Sequence, residues 1–261
     1  MSGGPSVPDD LTDDALTGTF RVLQRARGHR YSLDDVATAH EAALAKPDAK
    51  VCADLGCGIG SVLLMVAYKL PDARFVGLEA QEISLELARR NVARNALDAR
   101  VELHHGDLRD AEALARLGGP FELVTGTPPY QPKGTATPSP DPQRAHARIE
   151  LRGGVEEYLL AMGSLLAENG RAVVCADGRR PERVVRGAAA AGLDIIRKRD
   201  FVPREGREGP LFSVFTLALH GEQVRYEEAP PFIARTRDGA RTEEYFALRG
   251  FFGLPRRGEE A

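Results

Sequence analysis

The residues best placed to do chemistry begin at Asp54-Leu55-Gly56-Cys57-Gly58-Ile59-Gly60, an acid followed by alternating glycines. Glycines between a strand and a helix let the backbone bend tightly and approach a ligand closely. The dinucleotide fingerprint needs its last glycine one place later, where Ser61 stands, so this turn departs from that pattern. Glu79 ends the next apolar run, and a carboxylate there can accept both hydroxyls of a ribose. Asp107 ends the one after, behind His104-His105-Gly106. Further on stands Thr127-Pro128-Pro129-Tyr130, in which two prolines fix φ and remove two donors, leaving rigid carbonyls free to accept. A side-chain acceptor and a proline carbonyl can together hold an –NH₂ group by its two hydrogens, while Tyr130 offers a face for a flat group. That arrangement suits reaction at a planar, conjugated nitrogen such as an exocyclic amine or an amide. Accepting its hydrogens pulls such a nitrogen toward a pyramidal geometry and aims its lone pair, so positioning can replace a strong base.

The elements that must carry these groups read as an alternation. Residues 51–55, 74–80, 100–104, 121–126 and 171–177 predict strands, and 61–70, 83–96, 111–117, about 154–167 and 181–192 predict helices. In the helix over 83–96, Ile83, Leu87 and Val92 are expected to face inward. An earlier helix opens at Ser32-Leu33-Asp34-Asp35 and is broken at Pro47-Asp48. The fold class is therefore α/β, a mostly parallel sheet covered on both faces. Residues 193–202 and 211–221 close it as an antiparallel pair. The acids at successive strand ends then share one crevice at the carboxyl edge of the sheet. Residues 1–17 read as a mobile tail and 18–250 as a single domain, made of an N-terminal helical segment (18–48), a core (49–222) and a C-terminal extension (223–250). That extension looks irregular, with one short helix, and 251–261 is a polar tail.

Composition narrows the function classes. The chain has 261 residues and 43% hydrophobic residues, enough for a full core without a disulfide or metal staple. Its net charge of −3 argues against a uniformly basic nucleic-acid binder while allowing a local basic face. Cys52, Cys57 and Cys175 make no CxxC spacing, so no disulfide framework or zinc module is expected. His104 and His105 have no acid or cysteine spaced to complete a metal site. No apolar run reaches the length of a membrane span and no signal peptide is evident, so a cytoplasmic location is expected.

The motifs also carry a resemblance. Asp54-Leu-Gly-Cys-Gly-Ile-Gly60 resembles motif I of the class I S-adenosylmethionine-dependent methyltransferases, whose sheet is Rossmann-like. The resemblance implies that Asp54 meets the methionine end of the cofactor, that Gly56, Gly58 and Gly60 cradle it, that Glu79 holds its ribose and that Asp107 reads its adenine amino group. The anion agrees physically, since an ammonium needs one and a pyrophosphate would be repelled. Thr127-Pro128-Pro129-Tyr130 resembles the Asn-Pro-Pro-Tyr motif IV of amino-group methyltransferases, which act on adenine, guanine or glutamine nitrogen, with Thr127 standing where Asn, Asp or Ser is usual. The stretch from Gly134 through "GGVEEYLLAMGSLLAENGRAVV", together with 30–40, 201–215 and 230–250, is similar to the bacterial tRNA (valine) adenine-N6 methyltransferases.

What the resemblance implies is methyl transfer from S-adenosyl-L-methionine to an exocyclic amino group, adenine N6 of tRNA first. Protein-glutamine or ribosomal-RNA guanine transfer is the alternative within that chemistry. A non-catalytic cofactor-binding RNA or interaction module is the alternative outside it. A tRNA partner needs a phosphate surface, and Arg144, Arg148 and Arg152 would share one face if 143–152 is helical. Further basic clusters lie at Arg21, Arg25, Arg27 and Arg30 and at Arg197, Lys198, Arg199, Arg204 and Arg207.

Overall fold

A computed structural model describes residues 10–135, 137 and 139–255. The chain opens with an antiparallel hairpin, β1 (Leu11–Ala15) and β2 (Arg21–Arg25), followed by α1 (Leu33–Ala45). Strands and helices then alternate: β3 (Val51–Leu55), α2 (Ser61–Lys69), β4 (Arg74–Glu79), α3 (Glu82–Arg94), β5 (Val101–His105), α4 (Ala111–Ala115) and β6 (Phe121–Gly126). Helices α5 (Pro142–Arg148) and α6 (Val155–Leu165) lead to β7 (Leu166–Asp177), α7 (Pro181–Ala190), β8 (Leu193–Val202), β9 (Phe212–Leu219), β10 (Glu227–Ile233) and α8 (Glu243–Phe251).

The main sheet has eight strands in the order β10-β8-β9-β7-β6-β3-β4-β5, and β9 alone runs against the others. Alternate residues of each strand feed opposite faces, as the two-residue period of a strand demands. On β7, Val173 and Cys175 join the core under α1 and α2, whereas Ala172, Val174 and Ala176 join the core under α6 and α7. Because β9 is paired on both sides and covered on both faces, nearly all of it is buried. The mostly parallel α/β sheet and its antiparallel pair follow the sequence expectation.

Several details differ from it. Leu11–Ala15 is a strand where a tail is expected, held by its ladder to β2 and by Asp13–Arg21 (2.9 Å) and Asp14–Arg30 (3.0 Å) ion pairs. Residues 1–9 and 256–261 lie outside the described residues. In the extension, 227–233 is an edge strand parallel to β8, and its register shifts where Pro230 and Pro231 interrupt the ladder, as prolines do on edges. Ile83 is 45% exposed, since it sits in the first turn of α3 before the helix meets the sheet. The buried stripe of α3 instead includes Leu85, Leu87, Ala88 and Val92, with Asn91 among them. That amide is tolerated because Oδ1 accepts from the Leu23 amide (2.6 Å) and Nδ2 donates to the Leu23 and Ile59 carbonyls (3.0 and 2.9 Å).

Candidate active site

The carboxyl ends of β3, β4, β5 and β6 open into one cleft. Its floor is the turn after β3, where Gly56, Gly58 and Gly60 have φ of +63°, +57° and +85°. The first and second of these glycines do different work. A Cβ on Gly56 would lie 2.1 Å from the Tyr158 hydroxyl, whereas one on Gly58 would meet nothing within 4 Å. Gly58 lines the cleft, so this open space is where a ligand can press against backbone.

Buried acids surround that turn. Asp54 accepts from the Thr125 hydroxyl (2.8 Å), and burial pushes its carboxyl up to about 7. It sits beneath the cleft and is absent from its lining. Glu79 does line it: Oε2 accepts from the Gly58 amide (2.9 Å) and Oε1 from the Gln81 amide (2.6 Å), leaving each oxygen a further acceptor position. Burial raises its pKa as well. Asp107 lies at the rim and is held by a two-pronged contact from Arg109 (2.9 and 2.7 Å), which keeps its carboxyl below the usual range.

The sequence reading missed Asp35. It is the third residue of α1, buried, and lines the cleft across from the glycine turn. Its oxygens accept from the Ser32 amide (2.8 Å) and the Ser61 hydroxyl (3.1 Å), and burial, reinforced by the neighbouring Asp34, pushes its carboxyl up to about 8. The signal in the sequence is the helix start Ser32-Leu33-Asp34-Asp35, which reads as ordinary capping. Only the packing of α1 against α2 turns that cap toward Ser61. None of Asp35, Asp54 and Glu79 forms an ion pair among the described residues, which leaves buried carboxyl groups with no cation to balance their ionised form.

On the other wall, Thr127 and Pro129 line the cleft, while Pro128 and Tyr130 line a smaller cavity that Pro129 shares. Among the described residues neither the Thr127 hydroxyl nor the Pro128 carbonyl has a hydrogen-bond partner. The Tyr130 hydroxyl donates to Asp34 (3.0 Å) and sits 2.9 Å from the Cys175 sulfur. The smaller cavity is lined also by Asp177, Arg180, Glu150 and Arg183, whose charges are already matched: Asp177 with Arg179 (2.9 Å), Glu150 with Arg183 (2.5 Å).

The expected arginine face is corrected. α5 ends at Arg148 and Ile149 is extended, so Arg152 leaves the face of Arg144 and Arg148 and turns into the cleft. There its guanidinium donates to the Ala80 carbonyl (2.6 Å) beside Glu79. Arg144 and Arg148 stay exposed, close enough to His29 to lower its pKa together with burial. In the late cluster, Arg197 and Arg199 both turn inward onto buried Glu41, the latter at 3.1 Å, and Lys198 pairs with Asp200 (3.1 Å). In the early cluster, Arg21, Arg25 and Arg30 pair with Asp13, Asp141 and Asp14. All three cysteines are free and buried, and among the described residues there is no group of metal-ligating side chains and no helix long and apolar enough to cross a membrane.

Residues 30–139 match the family of the methyltransferase small domain. That match runs from α1 through β6 and the Thr127-Pro128-Pro129-Tyr130 turn, the elements that build the cleft. The chain is 33% identical over 121 residues to a tRNA1(Val) (adenine(37)-N6)-methyltransferase of Porphyromonas gingivalis, covering 46% of this chain and 47% of that one. It is 30% identical over 154 residues to a release factor glutamine methyltransferase of Chlorobaculum tepidum, covering 55% and 52%. The chain thus spans about half the length of these curated relatives. Its fold is similar to that of a predicted O-methyltransferase from Agrobacterium tumefaciens (TM-score 0.63, 21% identity, 87% of this chain and 100% of that one).

Proposed function

We propose that the protein transfers a methyl group from S-adenosylmethionine to an exocyclic amino nitrogen, with adenine N6 in tRNA as the acceptor. The observation that carries this reading is a single cleft with two unlike walls. One wall holds the buried, unpaired carboxyl groups of Asp35 and Glu79, and the other presents the free Thr127 hydroxyl at the head of a rigid proline turn, whose Pro128 lines the adjoining smaller cavity. The domain match and the tRNA-methylating relative agree with it.

The residues present fit the cofactor. Gly58 leaves open space at its backbone, Asp35 suits an ammonium, and the spare acceptor positions of Glu79 suit a ribose. Asp54, bonded to Thr125, fixes the start of the glycine turn from below, and Asp107 stands at the rim where the adenine amino group would lie. When bound, S-adenosylmethionine supplies an electrophilic methyl carbon on a sulfonium. The Thr127 hydroxyl and the Pro128 carbonyl each take one hydrogen of the acceptor amine and direct its lone pair at that carbon. Transfer would join that carbon to the nitrogen as its bond to sulfur breaks, leaving a neutral thioether, and the methylated amine would lose a proton to water. No base need act before attack. Tyr130, steadied through Asp34, stacks the flat acceptor, and Arg144 and Arg148 meet phosphates outside the cleft.

The test is transfer of labelled methyl from S-adenosylmethionine to RNA, protein and small-molecule fractions of an extract lacking this protein. Label in N6-methyladenosine of tRNA is the expected result. Label in protein glutamine or in methylguanosine keeps the chemistry and replaces the acceptor, and no label with the cofactor bound overturns the catalytic reading.

A further inference from the structure

Next to the cleft lies a second large cavity, of about 330 Å³, walled by the β1–β2 hairpin, the first turn of α1 and helix α8. Tyr31 lines both spaces, so the start of α1 is the partition between them. Its charged lining is Asp14, Arg30, Arg241 and Arg249. Asp14 and Arg30 neutralise each other at 3.0 Å. Arg241 lies 4.0 Å over the ring of Tyr245, Arg249 makes only a long contact to the Pro255 carbonyl (3.5 Å), and neither has an ion pair among the described residues. Two positive charges therefore stand unbalanced over a wall of tyrosines and apolar side chains that includes Leu33, Val36 and Phe252.

Unbalanced arginines beside half-buried rings that line a cavity form the pattern that holds unpaired nucleotides: stacking takes the base and the cations take the phosphodiester, without regard to sequence. We infer that this cavity binds a nucleotide flanking the acceptor base in the single-stranded part of the RNA substrate. The inference rests on the RNA reading above. A strand that places its acceptor base against Thr127 passes Tyr31 and sets its neighbour in this cavity.

The experiment uses the full chain, bulk tRNA as probe, and the variant Arg241→Gln/Arg249→Gln. Wild type should bind tRNA with strong salt dependence. The variant should bind at least about tenfold more weakly, with a slope of log affinity against log salt smaller by about two, and with unchanged affinity for S-adenosylmethionine. Photo-crosslinking of wild type to tRNA, independent of any variant's folding, should map to Tyr31 or Tyr245. Wild-type affinity and slope in the variant, or crosslinks confined to other elements, would overturn the cavity assignment and leave the RNA reading standing. Failure of the wild type to bind tRNA while it binds the cofactor would remove the RNA reading and this inference together.

Discussion

The cleft and the smaller cavity beside it differ in how they treat charge. On the β3–β4 side, Asp35, Asp54 and Glu79 are buried with hydrogen bonds and no cations, and their pKa values are all raised by burial. Around the smaller cavity under the Pro128-Pro129 turn, the acids arrive already matched, Asp177 with Arg179 and Glu150 with Arg183. The cleft thus gains when a cation enters, and the smaller cavity gains nothing from charge and selects by shape and neutral hydrogen bonds. That asymmetry is what a sulfonium- and ammonium-bearing cofactor opposite an uncharged amine requires.

The comparison breaks most readily at Glu79. Glu79→Ala removes the acceptor for both the Gly58 and Gln81 amides, and cofactor affinity measured by calorimetry should fall about 100-fold, in keeping with roughly 1.5–3 kcal/mol per charged hydrogen bond. A loss under threefold would detach this wall from the cofactor. Thr127→Ala tests the opposite wall: turnover should drop roughly 10–100-fold while cofactor affinity stays within about twofold. Equal turnover would take Thr127 out of the mechanism.

Much of this site was legible in the sequence because its positions are set by backbone geometry. Left-handed φ at 56, 58 and 60 demands glycine, and the Pro128-Pro129 pair declares a rigid turn by itself. Asp35 was not legible, because its place in the cleft depends on α1 packing on α2, far from it in sequence. Arg152 was misplaced for a local reason: α5 stops at Arg148, and a four-residue spacing does not reveal where a helix ends. The edge strand β10 hid behind Pro230-Pro231, which signals a turn unless the neighbouring β8 is known. The β1–β2 hairpin was obscured because Asp13 and Asp14 read as solvent-loving until their arginines are in place.

Asp35→Asn sharpens the charge contrast further. The folded apoprotein keeps a proton on Asp35 up to about pH 8 and on Asp54 up to about pH 7, whereas the unfolded chain releases both near pH 4. Their contribution to stability is therefore full below about pH 4, declines steadily as pH rises, and is gone above the folded values of about 7 and 8. The asparagine variant, whose amide can still serve Ser32 and Ser61, should melt higher than wild type at pH 8 and the same at pH 4. Its cofactor affinity should be about tenfold lower at pH 8, and an unchanged melting difference between the two pH values would contradict the assigned proton. The smallest effect on stability is expected at Gly58→Ala, where the left-handed backbone costs about 1–2 kcal/mol and no protein atom is struck. Gly56→Ala adds a collision with Tyr158 and should be the more destabilising of the two in thermal unfolding.

The most direct test of the charge asymmetry is calorimetric titration of the full chain with S-adenosylmethionine near pH 7, in buffers of different ionisation heat, with NAD as the comparison ligand. The account predicts binding of S-adenosylmethionine with release of about one proton from Asp35, a release absent in Asp35→Asn, and no comparable binding of NAD. Binding without proton release, or a preference for NAD, would contradict it.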